Sequence, residues 1–346
     1  MKTIVKKTWL KLLLCIYFIL FASTTKAQIL DSIYSNQIHE ITIYVIPPAK
    51  PLDWDSPCSL YKTVFKSFVS TITKPKNPFM GHVFIKFSSS FLDETLYAGM
   101  SYKDKNEQRE YLFKDKIGLG ILGVPLKGRL ENPNDLMYYL DYHAKQKDLA
   151  FVRFEIGDHA ARDVIDFFHQ FTTPFNGNNA PCDFYGGIFW PRYEHEGAGC
   201  TAFAISMLDV AGIRGEEINS WKRTINIPKD LIGGEFNDNN KVKCKQIKKH
   251  NSWASESESE DTYVAFEIYD PQLIYEWIIS QRNLSKNLRQ PGYLPVEEAN
   301  IPGFISDRRV LKIAIDEPLF RTRPDDNLFI KHFYQKIEMS NVNSTK

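Results

Sequence analysis

The residue with the clearest chemical promise is Cys200. It follows Gly199 and opens the run Thr201 to Ala211, in which Phe203, Ala204, Met207 and Leu208 fall at helical spacing before Gly212 ends the pattern. A cysteine at the head of a helix faces unpaired backbone N–H groups and the positive end of the helix dipole, and both favour thiolate over thiol. The same N–H groups can donate to an oxyanion forming on an attacked carbonyl. The chemistry this predicts is nucleophilic acyl transfer, with a general base supplied from elsewhere in the chain. The alternative for Cys200 is a buried core thiol or half of a disulfide.

Several neighbours of Cys200 are polar: Asp183, Glu194, His195 and Glu196. Cys182, His195 and Cys200 could in principle hold a metal, but their spacing matches no standard zinc pattern, and neither metal nor cofactor is expected. His159, His169 and His195 read as polar surface residues. Glycines 118, 120 and 123 have GxGxxG spacing, yet they follow charged residues 114 to 116 and precede Pro125 instead of a helix, so they mark a loop and not a phosphate cradle.

Residues 172 to 199 form a long loop rich in proline, glycine and aromatics. Its aromatic side chains serve either core packing or the wall of a cleft, and Tyr185, Trp190 and Tyr193 are the candidates for touching a substrate.

The elements that must position Cys200 come next. Ile41 to Ile46 reads as a strand broken by Pro47 and Pro48, followed by a turn-rich loop. His82 to Phe87 reads as a strand, and the polar loop Ser88 to Asp93 leads to a second at Thr95 to Met100. Ala150 to Ile156 alternates like a half-buried strand and feeds a helix from Asp158, where Ala161, Val164, Ile165, Phe168 and Phe171 share a face. Tyr263 to Tyr269 reads as a strand, Asp270-Pro271 starts a helix through Trp277, and Val310 to Ile315 reads as another strand. The end from Arg321 reads as a polar tail.

Two short segments taken together, Gly81-His82-Val83-Phe84-Ile85 and Gly199-Cys200-Thr201-Ala202-Phe203-Ala204 with Ala211-Gly212-Ile213, resemble the circularly permuted papain-like hydrolases over roughly residues 80 to 215. That group includes NlpC-like peptidases and lecithin-retinol acyltransferase-like enzymes. In it a histidine at the start of a strand precedes a cysteine opening a core helix. The resemblance implies His82 as base and Cys200 as nucleophile. It also implies a third polar group on the strand after the histidine's, for which Tyr97 stands first by position and Glu94 second. The implied fold is α+β: a permuted papain-like core with an antiparallel sheet packed on the cysteine helix, plus a C-terminal α/β extension.

At the N-terminus, Lys2, Lys6, Lys7 and Lys11 precede an apolar run from Leu12 to Ala22 and a small-residue stretch ending at Ala27, the pattern of a cleaved signal peptide. That run is too short to span a bilayer, and no stable membrane insertion is expected after leader removal. About 320 residues of the 346 remain, enough for one large domain or two modest ones. The 43 basic and 42 acidic residues nearly cancel and the basic ones are scattered, which excludes a nucleic-acid footprint. Cys58, Cys182, Cys200 and Cys244 would enter a compartment where disulfides form; spacing does not choose a pairing. The expected organisation is a signal peptide at 1–27, a hydrolase domain at 28–245, a Ser/Glu-rich linker at 246–262 and a C-terminal extension at 263–346. The expected protein is an exported cysteine hydrolase, periplasmic, cell-surface or secreted. Its substrate would be a peptide, a cell-wall amide or an acylated small molecule. An acyltransferase on the same scaffold and a non-catalytic binding protein are the alternatives.

Overall fold

Alternation of β-branched and aromatic residues makes His39–Ile46 a strand with both faces covered, and it sits at the middle of the sheet. The computed structural model describes residues 39–74, 76–175, 179–284, 292–311, 317–324 and 327–344; the expected signal peptide and Cys15 lie outside them. The strands are β1 (His39–Ile46), β2 (His82–Ser88), β3 (Leu96–Tyr102), β4 (Leu126–Leu130), β5 (Ala150–Ile156), β6 (Phe184–Tyr185), β7 (Lys222–Pro228), β8 (Tyr263–Tyr269), β9 (Leu294–Glu298) and β10 (Ile301–Asp307). The longer helices are α1 (Pro57–Ser70), α2 (Pro133–Gln146), α3 (Asp158–Thr172), α4 (Cys200–Val210), α5 (Pro271–Leu284) and α6 (Leu328–Ser344).

The fold is α+β. An eight-stranded sheet runs in the order β6-β4-β3-β2-β1-β5-β10-β9. Its pairings are antiparallel except that of β5 with β10. Strand alternation sends Ile41, Ile43 and Val45 of β1 to one face and Tyr44 and Ile46 to the other. The first face packs against α4, backed by α3, and against α5, in one continuous core with Val83, Ile85, Val152, Phe203 and Ile274. The second face is covered by α2, where Leu136 meets Tyr44, Phe84 and Phe151. A separate two-stranded ribbon, β7 with β8, joins a second core with Phe189, Phe329 and Phe333.

Helix α4 is apolar nearly all round, with Phe203, Ala204, Ile205, Met207 and Leu208 buried, as befits a helix held between a sheet and another helix. It ends as the sequence predicts. Gly212 takes φ +72°, and the Ile213 N–H closes back to the Leu208 carbonyl at 2.9 Å.

Elsewhere the structure corrects the sequence reading. The turn-rich loop after β1 holds α1, started by Ser56, whose hydroxyl accepts from the Ser59 N–H, and by Pro57 at its first turn. Helix α2, not anticipated, begins the same way at Asn132 and Pro133. The end of the chain is no loose tail: α6 buries Phe329, Ile330 and Phe333, apolar residues at helical spacing. The strand expected at Val310 to Ile315 falls partly outside the described residues, and its described start, Val310 and Leu311, is not strand; the strand lies earlier, at β10. Residues 246–262 are the second half of the connection from β7 to β8, which runs over residues 229–262, so the chain on both sides of the Ser/Glu run belongs to one ribbon, and β10 joins the residues beyond it to the main sheet. Trp253 within that bridge donates to the Trp54 carbonyl at 2.6 Å. Gly123 packs against the Phe329 ring with no room for a side chain, which accounts for one glycine of the GxGxxG run. Among the described residues no helix is long and apolar enough to cross a membrane.

Candidate active site

Cys200 is the first residue of α4, and the N-cap Gly199 is extended, at φ −76° and ψ 162°. The N–H groups of the first turn therefore point away from the helix body without intrahelical partners. Helix α4 packs across β2, which begins at His82. Gly81 precedes it at φ +81°, a left-handed turn in which a Cβ would meet Pro271 at 2.7 Å and the Ile46 carbonyl at 3.1 Å. That turn lets the chain enter β2 with His82 at the sheet's end.

The Cys200 thiol and the His82 imidazole lie close enough for each to favour the charged form of the other. On the ring's far side, Nε2 meets Glu131 Oε2 at 2.8 Å, with both side chains largely shielded from solvent at 13% and 11% exposure. Glu131 occupies Nε2, which leaves Nδ1 as the nitrogen available to the sulfur. The three groups form a connected array in the order Cys200, His82, Glu131.

The electrostatics match a thiolate–imidazolium pair. Burial alone would lower the His82 pKa; the negative charge of Glu131 and the ring's hydrogen-bonding interactions with Cys200 and Glu131, which favour its protonated form, outweigh it and push the imidazole from 6.5 up to about 10. For Cys200, burial would raise the thiol above its ordinary 9.0. The hydrogen bond and charge of His82, the Val83 backbone N–H and the Thr201 hydroxyl outweigh burial and bring it below that value. Cys182 shows the contrast: burial, helped by Asp183, pushes its thiol up to about 11.

Tyr185 is the fourth member. Its hydroxyl lies near enough to the Cys200 sulfur for the two groups to influence each other's ionisation. Burial first, then the negative charges of Cys200 and Glu131, hold its pKa well above the usual range, so it stays protonated and can donate. Strand β6 carries it, pairing Tyr185 with Leu126 of β4. Gly197 lets the loop before Cys200 pass against β6, where a Cβ would overlap the Phe184 backbone.

A single cleft of about 2010 Å3 is lined by Cys200, His82, Glu131, Tyr185, Trp190 and Tyr193. All three aromatic candidates of the long loop therefore line the same extended cleft as the thiol. Trp190 is also half-buried, with its ring 5.6 Å from that of Tyr269, and the Arg323 guanidinium lies 4.9 Å above the Tyr193 ring. Packing and cleft wall are thus one role here.

The orienting partner of His82 is neither Tyr97 nor Glu94. Antiparallel register pairs Tyr97 with Lys86, four residues along β2 from His82, which at 3.3 Å per residue is about 13 Å away. Glu94 is an exposed turn residue before β3. Glu131 reaches the ring from the end of the following strand, tied down by its N–H to the Gly99 carbonyl at 2.9 Å. Its local signal is faint: an acid placed just before the Asn132-Pro133 helix start, with nothing near it to tie it to a histidine 49 residues earlier.

All four cysteines of the described region are free thiols, with Cys58 and Cys200 buried, Cys182 half-buried and Cys244 exposed. Among the described residues, no three His, Cys, Asp or Glu side chains converge as metal ligands. Cys182 and His195 are not drawn to Cys200; His195 stacks on Phe175 with ring centres 4.1 Å apart. No protein-family model, curated protein or solved structure matches the chain.

Proposed function

We propose that the chain is an exported, permuted papain-like cysteine hydrolase that cleaves an amide bond of peptide or cell-wall type, or an ester, through an acyl-enzyme on Cys200. The observation that carries this reading is the grouping of Cys200, at the head of a buried helix, with His82, whose Nε2 is held by Glu131 at 2.8 Å, on the wall of an open cleft. The chain order also supports it, since the histidine strand precedes the cysteine helix as in the permuted group.

In the reaction the Cys200 thiolate forms a bond to the substrate carbonyl carbon, and the carbonyl π pair moves onto oxygen. In this reading the N–H groups at the start of α4 and the Tyr185 hydroxyl serve as donors to that oxyanion. As the tetrahedral intermediate collapses, the C–N or C–O bond breaks and the His82 imidazolium gives its Nδ1 proton to the leaving group. A water then enters. His82 takes one of its protons, the oxygen attacks the thioester, and the thiolate leaves as the acid is released. Glu131 holds the ring and stabilises its charge throughout.

Alkylation of the native protein with iodoacetamide near neutral pH tests the nucleophile. Cys200 should label faster than Cys58 and Cys182, and exposed Cys244 is removed beforehand by Cys244→Ser. Cys200→Ser and His82→Ala should each abolish hydrolysis of peptide and ester substrates with nearly unchanged thermal melts. Labelling of Cys200 no faster than of Cys182 would leave a non-catalytic binding protein as the better account.

A further inference from the structure

Helix α1 is anchored along one side, by Cys58 and Leu60 in its first turns and by buried Ser67 further on, whose hydroxyl donates to the Phe79 carbonyl at 2.6 Å. Its second half also exposes Phe65 at 56%, Phe68 at 52% and Val69 at 43%, with Ile72 at 71% in the turn that follows. At 100° per residue Phe65, Phe68 and Val69 lie within about 100° of the helix circumference, so they form one stripe and not scattered exceptions. Phe113, exposed at 73%, lies in the segment Glu110–Asp115, and it lines the same cleft as Phe65 and Phe68. Clustered exposed rings of this kind mark a surface that is covered in use.

The charge around the stripe selects what covers it. Lys62, Lys66 and Lys74 are exposed, and no ion pair among the described residues uses them. From Ser56 to Leu92 the chain contains no aspartate or glutamate at all. Within the α1 segment itself, an aromatic and aliphatic stripe flanked by lysines complements a layer whose surface is anionic and whose interior is apolar.

We propose that the exposed face of α1 and the turn after it seats peripherally on an anionic lipid bilayer, with Phe65, Phe68 and Ile72 in the interface and Lys62, Lys66 and Lys74 at the headgroups. The attachment is interfacial, not spanning, and it places the lipid surface at the border of the cleft that also contains Cys200.

Vesicle co-sedimentation of the chain from Gln28 onward, which contains the compact unit His39–Lys346, tests this. The protein should sediment with vesicles containing phosphatidylglycerol and much less with pure phosphatidylcholine, and added salt should release it. Lys62→Gln, Lys66→Gln and Lys74→Gln together should weaken binding on the order of a hundredfold, at about fivefold for each lysine near the surface. Phe65→Ser with Phe68→Ser should abolish it while the thermal melt is kept, because these side chains are already solvent-exposed. Cys200→Ser should bind as the parent does, which separates this surface from the hydrolase reading. Equal binding to both vesicle types, indifference to the lysine or phenylalanine changes, or a phenylalanine-dependent dimer in place of vesicle binding would overturn the proposal.

Discussion

The carboxylate of Glu131 occupies the space that a side chain at Gly99 would need. A Cβ built on Gly99 collides with Glu131 Oε2 and comes within 3.1 Å of the Phe84 Cβ, so the absence of a side chain at one position of β3 admits the acid that holds His82. Gly99→Ala should therefore push Glu131 off Nε2. We expect kcat/KM to fall at least tenfold with a loss of stability of about 1–3 kcal/mol, the usual range for overpacking. Full activity in this variant would mean that Glu131 does not position the ring.

Removing the Glu131 charge has a signed consequence for pH. The imidazole is held up near 10 largely by that carboxylate, against the opposing pull of burial. Glu131→Gln should lower the His82 pKa, so the alkaline limb of the kcat/KM profile moves to lower pH. Glu131→Ala should in addition free the ring to turn, and the loss should reach a hundredfold or more. An alkaline limb that stays in place in both variants would contradict the array.

In the native protein the thiolate and imidazolium should coexist over a window whose edges follow from the two shifts. Cys200 gives up its proton below 9.0, while His82 keeps its own until about 10. Alkylation of Cys200 should then begin on the acid side of an ordinary thiol, and turnover should fall as pH rises through about 10, where the general acid is lost. The two limbs belong to the coupled pair and not to one residue each. Rate measurements with iodoacetamide, set beside Cys244 as an internal exposed thiol, read the acid limb directly.

Tyr185→Phe removes one donor from beside the sulfur and keeps the ring. The thiolate loses a neighbouring hydroxyl, so alkylation near neutral pH should slow. If the hydroxyl also meets the oxyanion, kcat should drop by about 10²- to 10³-fold with KM little changed. Equal losses in labelling and in kcat would confine Tyr185 to the ground-state thiolate.

The end of the chain supports the site through packing. Phe333 of α6 lies with its ring 4.8 Å from Phe184 and 4.7 Å from Phe189, and Phe184 is the neighbour of Tyr185 in β6. Phe333→Ala should cost about 3–5 kcal/mol by the usual scale for a buried ring, read as a lower thermal melt. A variant as stable as the parent would show that α6 is dispensable to the core.

Much of the local structure was legible because it depends on neighbours in sequence. The alternation of β1, β2, β5 and β8, the apolar face of α3, the Pro271 start of α5 and the Gly212 stop of α4 are periodic or capping signals, and they predicted elements close to those found. Signals diluted by polar residues were missed. Helix α1 exposes half of its apolar face, α2 buries only Leu136 and His143, and α6 follows a stretch that reads as polar, so none stands out as a conventional amphipathic helix.

By itself the sequence determined that Cys200 would head a helix and that His82 would open a strand, since glycines 81, 199 and 212 and the flanking apolar runs leave little choice locally. Only the tertiary structure decided which groups meet. The approach of a cysteine to a histidine far apart in the chain depends on α4 crossing β2. The choice of Glu131 over Tyr97 depends on strand register, which shifts a side chain by about 3.3 Å per residue and is set by the whole sheet.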